Sequence, residues 1–241
     1  MAGQGSNAEY QAVDERIVGR KPTSLSFTDA AALPLTSITA YEAIFDRLGI
    51  ARKDSSANNP VKKSVLILNG AGGVGSMAIQ LLKALTDLTV IASASRPQST
   101  AWVTELGADH VVNHAQDIPT QLKALGIPQV DYILAFTDLP QHFDAIVDRD
   151  YSHHGQPPFQ KLFAKSVTFV WENMGTRPIF TTDDIAEHHR LLNHVSDLVD
   201  AKRIRTTLGE NLGTINAANL RKAHAALEAG RVVGKLVLSG F

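Results

Sequence analysis

An α/β fold with a doubly wound parallel sheet is predicted by three observations. Short apolar runs lack polar alternation, helical segments separate them, and a glycine-rich turn joins the first run to an amphipathic helix. The first run is Ser64–Leu68 (SVLIL), the pattern of a central strand buried on both faces. It passes through Asn69 into GAGGVG, where Gly70, Gly72 and Gly75 fill the glycine positions of G-x-G-x-x-G. Ser76–Leu85 (SMAIQLLKAL) reads as the helix and Leu88–Ala92 (LTVIA) as a second apolar strand. Strand, glycine turn, helix and strand within about 30 residues is the setting in which this turn binds a dinucleotide. The predicted fold is therefore of Rossmann type.

The spacing has a chemical reason. Gly70 permits a sharp turn off the strand, Gly72 lets the backbone approach a pyrophosphate, and Gly75 allows close helix–sheet packing. A helix opening near Gly73 and Val74 points free N–H groups and a positive dipole end at the phosphates. The competing reading is a tight turn with no ligand.

Cofactor identity is read at the end of the second strand. NAD enzymes place an Asp or Glu there for the ribose 2′-hydroxyl. This chain has Ser93-Ala94-Ser95-Arg96, and no carboxylate until Glu105. Two hydroxyls and a guanidinium suit a 2′-phosphate, Arg through charge-assisted hydrogen bonds, so NADP(H) is expected. The alternative is a solvated Arg96 ahead of Pro97.

The other elements come in chain order. Ala8–Val13 is a short extended patch. Ser26 or Thr28 can cap a helix through Asp29–Ala32. Thr36–Leu48 reads as one helix, with Ile38, Tyr41, Ile44, Phe45 and Leu48 at helical spacing. Residues 51–60 (ARKDSSANNP) are a polar linker. Helices are expected at Ser99–Leu106, Ile118–Leu125, Gln141–Val147 and Ile185–Val199, and strands at His110–Val112 and Asp131–Phe136.

Composition narrows the class. The 241 residues are 44% hydrophobic and 20% charged, ordinary for a globular protein with a sizeable core. The net charge of −1 gives no basic field for nucleic acid or an anionic membrane. No apolar run approaches the ~20 residues of a membrane helix, and the polar start does not read as a secretory signal, so a cytoplasmic protein is expected. There is no cysteine, which removes disulfides, catalytic thiolates and cysteine-ligated zinc. His153-His154 and His188-His189 are adjacent pairs without metal-ligand spacing, and with His194 they read as surface or packed residues, so no metal site is expected.

Ala32–Leu48 (ALPLTSITAYEAIFDRL), GAGGVGS, SASRP, LGADHVVNH and the closing AGRVVGKLVL together resemble the medium-chain dehydrogenase/reductase superfamily, in its quinone oxidoreductase branch and its "zinc-type alcohol dehydrogenase-like" members. The resemblance implies metal-independent hydride transfer from NADPH to a quinone or activated enone. It places Thr39 near the nicotinamide, Gly72–Val74 at the pyrophosphate, and Ser93, Ser95 and Arg96 at the 2′-phosphate. It puts His114 at the adenosine, where relatives often carry Tyr, and Trp171, Met174 and Arg177 at the border of the substrate pocket. No catalytic residue is assigned. The resemblance also implies a homodimer formed through an edge strand.

The same resemblance implies a domain plan. Residues 1–22 match the end of a GroES-like catalytic domain, most of which is expected to be missing, 23–207 the dinucleotide-binding domain, and 208–241 a segment returning to the first. Leu220, Leu227, Val237 and Leu238 would then be exposed. Residues 149–160 depart from the family pattern, as if one strand were lost, unless Ser166–Trp171 fills its position. Three readings stay open: an NADPH-dependent oxidoreductase, a non-catalytic NADPH-binding module, and the product of a defective gene model.

Overall fold

The computed structural model describes residues 8–53, 62–137, 162–163 and 165–240. The expected helix Gln141–Val147, the stretch 149–160 with its missing strand, His153-His154 and most of the 51–60 linker lie outside the described residues.

The sheet forms where the apolar runs predict it. Strands β1 (Ser64–Leu68), β2 (Thr89–Ser93), β3 (His110–Val112) and β4 (Tyr132–Ala135) lie in the order β3-β2-β1-β4. All three pairings are parallel, with Val65 opposite both Val90 and Tyr132, and Ala92 opposite Val111. This is the first half of a doubly wound sheet, with its order reversing between β1 and β4. Helix α3 (Gly73–Leu85) crosses from β1 to β2, α4 (Pro97–Glu105) from β2 to β3, and α5 (Ile118–Ala124) from β3 to β4.

Alternation along β1 builds the two faces. Val65 and Ile67 enter the larger core with Ile79 and Leu82 of α3 and with Leu191, Val195 and Leu198 of α7 (Glu187–Asp200). Leu66 and Leu68 enter a smaller core with Ile91, Ile118 and Leu122. Burial on both sides explains why β1 carries no polar alternation.

Upstream, α1 (Phe27–Ala31) is capped by Ser26, whose hydroxyl accepts from Asp29 N at 3.1 Å, rather than by Thr28. The single helix expected over 36–48 is two elements, α2 (Pro34–Tyr41) and a π-helical turn (Glu42–Arg47). The wider turn closes through Leu48 N donating to Ala43 O at 3.1 Å. Ala8–Val13 pairs with no strand among the described residues, and Tyr10 is 92% exposed.

Among the described residues, Ser166–Trp171 pairs with no strand and so does not fill a sheet position. Ser166 is left-handed with φ 51°, and the Val167 N–H is spent on Leu162 O at 3.0 Å, which holds the segment in a turn. Phe169 and Trp171 face solvent.

The chain continues through α6 (Thr176–Phe180) and α7 to a two-stranded parallel sheet of β5 (Leu208–Asn211) and β6 (Lys235–Val237), linked by α8 (Ala217–Glu228). The expected exposure of the tail holds only for Leu227. Val237 is buried because its strand pairs with β5, and Leu220 and Leu238 are half-buried. Among the described residues, no helix is long and apolar enough to cross a membrane.

Candidate dinucleotide site

The turn after β1 is fixed from β2. Asn69 takes the left-handed conformation (φ 61°) that asparagine tolerates better than most residues. Its N–H donates to Ser93 Oγ at 3.0 Å, and the next N–H, of Gly70, donates to Ser93 O at 3.1 Å. Helix α3 then crosses very close to this turn. A Cβ on Gly75 would lie 2.3 Å from Asn69 O and 2.7 Å from Gly70 Cα, so the helix can sit there only as glycine. A Cβ on Gly70 would meet the Ala92 Cβ at 2.8 Å.

Helix α3 opens without a capping side chain. Its N-cap is Gly72, and Gly72, Gly73 and Val74 are half-buried at the surface. The first turn of any helix leaves N–H groups without intrahelical partners, and the dipole there favours an anion. The backbone cradle and donor set fit a dinucleotide pyrophosphate.

Other elements flank the cradle. A Cβ at Gly73 would stand 3.0 Å from Thr36 Cγ2, so α2 lies beside the turn, with Thr39 half-buried one turn further along. The Thr39 hydroxyl donates to Leu35 O at 3.3 Å. Parallel pairing of Ser93 with Val112 sets the ends of β2 and β3 side by side. The segment Ser93–Arg96 and the half-buried His114 thus reach one end of the sheet, the carboxyl end, where open α/β sheets bind ligands. Ser93 is 1% exposed and occupied under the turn, whereas Ser95 and Arg96 are only half-buried. The Arg96 backbone opens α4, its N–H donating to Ser99 Oγ at 3.1 Å. Its guanidinium forms no ion pair among the described residues.

Sequence reasoning missed Lys235. Gly234 N donates to Ala71 O at 2.8 Å, and Gly234 bridges to Gly72. This brings β6 to the glycine turn. A Cβ at Gly73 would be 2.6 Å from Lys235 Cδ, so the lysine stem lies across the start of α3. The Gly-Lys pair of AGRVVGKLVL was the available signal, as a cation following a glycine near the chain end.

The segment expected to border a substrate pocket divides. Trp171 is 75% exposed, edge-on to Phe169 with ring centroids 5.0 Å apart. Arg177 instead is buried in an ion cluster and unavailable to a substrate. Its Nη1 bonds Glu42 Oε1, its Nη2 bonds Asp46 Oδ2 at 2.9 Å, and Nε and Nη2 bond Asp184 Oδ2 at 3.0 and 2.9 Å. Glu42 also accepts from His188 Nε2 at 2.9 Å. Burial pushes the Glu42 carboxyl up, but the bonds from His188, Glu172 and Arg177 outweigh it and hold it below the usual range.

Comparison with known proteins agrees with this geometry. The zinc-binding dehydrogenase family model matches residues 73–149. A zinc-type alcohol dehydrogenase-like protein of Staphylococcus epidermidis is 38% identical over 98% of this chain and 71% of its own length. The 2-methylene-furan-3-one reductase of Solanum lycopersicum is 30% identical over 97% of this chain and 52% of its own length. A crystal structure from Rhizobium etli, provisionally described as a zinc-dependent alcohol dehydrogenase, superposes with a TM-score of 0.82 at 45% identity, covering 95% of this chain and 68% of that one.

Fold, turn and relatives define an oxidoreductase with a Rossmann-type domain. The chain belongs to the medium-chain dehydrogenase/reductase superfamily, among its zinc-type alcohol dehydrogenase-like proteins. The donor set does not fit the metal of the family name. The chain has no cysteine, and among the described residues no group of three or more His, Cys, Asp or Glu is placed to hold a metal ion.

Proposed function

We propose that the chain binds NADPH and belongs to a metal-independent reductase of activated enones or quinones. The observation that carries the reading is the uncapped start of α3 beside a strand end that offers Ser95 and Arg96 and no carboxylate. In this reading the amides of Gly73, Val74 and Gly75 face the pyrophosphate, Lys235 adds a positive charge, and Arg96 with Ser95 selects the 2′-phosphate, while the buried Ser93 holds the glycine turn in place. Thr39 lies on the nicotinamide side and His114 near the adenosine. A reduced nicotinamide, when bound, supplies the hydride, and the residues supply orientation. A reductase of a conjugated furanone among the relatives supports the substrate class.

Titration of the 241-residue chain with NADPH and NADH, followed by nicotinamide fluorescence, tests it. NADPH is expected to bind at least about tenfold more tightly, since a hydrogen bond to a charged group contributes about 1.5–3 kcal/mol. Arg96→Gln is expected to remove most of that preference and leave NADH affinity unchanged. Equal affinities for the two nucleotides in the wild-type chain overturn the NADPH assignment.

Lys235→Gln has a different expected signature. The pyrophosphate is common to both nucleotides, so affinity for NADPH and NADH falls by a similar factor, several-fold, and less at high salt. Loss confined to NADPH places the lysine at the 2′-phosphate instead. Consumption of NADPH on adding a quinone or enone then separates a reductase from a binding module.

A further inference from the structure

A second group of charges, built around the buried Glu42, Arg177 and His188, lies behind α2 and plays no part in the dinucleotide site. Four carboxyls meet there: Glu42 and Asp46 on the π turn, Glu172 just before α6, and Asp184 ahead of α7. The cations facing them are Arg47 on the π turn, Arg177 on α6 and, when protonated, His188 on α7. Arg47 draws two of the carboxyls together. Its Nε is 2.8 Å from Glu172 Oε2, and its Nη2 is 3.6 Å from Glu42 Oε2. Glu42 and Glu172 thus face one guanidinium, and each shifts the other's proton affinity.

Among the described residues, two buried oxygens in this group have no hydrogen-bond donor: Glu42 Oε2 and Glu172 Oε1. Ionised carboxylates only accept hydrogen bonds, and two of them in buried contact repel. One proton between them removes both problems, since a protonated carboxyl donates and its neighbour accepts.

We propose that Glu42 and Glu172 share one proton, forming an acid–carboxylate clasp that ties residues 171–177 to the π turn and opens as pH rises. Glu172 is the proton carrier. Glu42 already receives His188 and Arg177 on its other oxygen. Burial, then the facing Glu42, push the Glu172 carboxyl up to about 7, against the opposing pull of Arg47. The bond is Glu172 Oε1–H to Glu42 Oε2. Its loss leaves two carboxylates in contact at the base of the exposed Trp171 segment. The clasp stands whether or not the chain binds NADPH.

The sign of the pH dependence comes from linkage. The folded chain holds this proton more tightly than the unfolded chain, whose Glu titrates near its ordinary value. The stabilisation is complete below the unfolded value and is lost as pH rises through the folded one. Between pH 6 and 8 the unfolding constant is expected to rise about tenfold from this group alone.

The test combines carboxyl ¹³C NMR of glutamate-labelled full-length chain with urea unfolding from pH 5 to 9. One glutamate signal is expected to titrate near neutrality in the wild-type chain and to be missing from Glu172→Gln. That variant keeps a donor toward Glu42, so it is expected to lose the tenfold increment while staying folded. Arg47→Gln removes the opposing cation and is expected to move the outlying midpoint higher, which serves if Glu172→Gln does not fold. The proposal is overturned if every glutamate titrates below about pH 5.5. It is equally overturned if the outlier or the full pH slope survives in Glu172→Gln, or if Arg47→Gln leaves the midpoint where it was.

Discussion

Gly75→Ala is expected to abolish nucleotide binding and to destabilise the fold in one step. The added methyl would stand 2.3 Å from Asn69 O and 2.7 Å from Gly70 Cα, both backbone atoms that cannot swing aside. Helix α3 must therefore move away from β1, or the turn must open. Overpacking of this kind costs about 1–3 kcal/mol, and in a domain of this size each kcal/mol lowers Tm by roughly 2–4 °C. The same movement misplaces the amides of Gly73 and Val74. Thermal unfolding and NADPH titration on one sample separate the two effects. A folded Gly75→Ala chain that binds NADPH as tightly as wild type shows that the close crossing is not needed for the site.

Arg177→Met is expected to cost still more. Arg177 is 5% exposed and satisfies Glu42, Asp46 and Asp184 together. Methionine fills a similar volume but leaves the fully buried Glu42 short of a cation. Removing one partner of a buried ion pair costs about 3–5 kcal/mol, because the other charge stays in a low-dielectric site. Urea unfolding at pH 7 measures it. Removing the exposed Arg190, which pairs with Glu187 at the surface, is a control expected to change little. A loss at Arg177→Met no greater than in that control shows that the cluster relaxes around the missing guanidinium.

The β1–α3–β2 unit was legible because each of its features is local. An apolar run, a glycine spacing and an amphipathic helix all fall within one short window. The ends of β2 and β3 were legible for the same reason, since a parallel crossover forces them to one edge. Long-range placement was not. Lys235 reaches the glycine turn through a strand at the far end of the chain, and no periodicity encodes that return. The resemblance set Arg177 at the border of a pocket but said nothing of its partners, which come from α2's extension and the approach to α7. The pattern over 36–48 counted apolar positions correctly but said nothing of a buried Glu42, nor of a helix that widens to bring Arg47 beside it.

That widening sets the phase of the chain beyond it. Bonds from residue i to i+5 put Glu42 above Arg47, whereas ordinary helical winding places positions five apart on different sides. The turn thus behaves as one residue spliced into a helical frame. Shortening it by a residue would restore regular winding at no cost in local hydrogen bonding, yet rotate α2 against the segment leading to β1. Glu42 and Arg47 could not then stay side by side against Glu172. The irregular turn works as a gear that keeps a buried carboxylate and the cation five residues on engaged within one continuous rod.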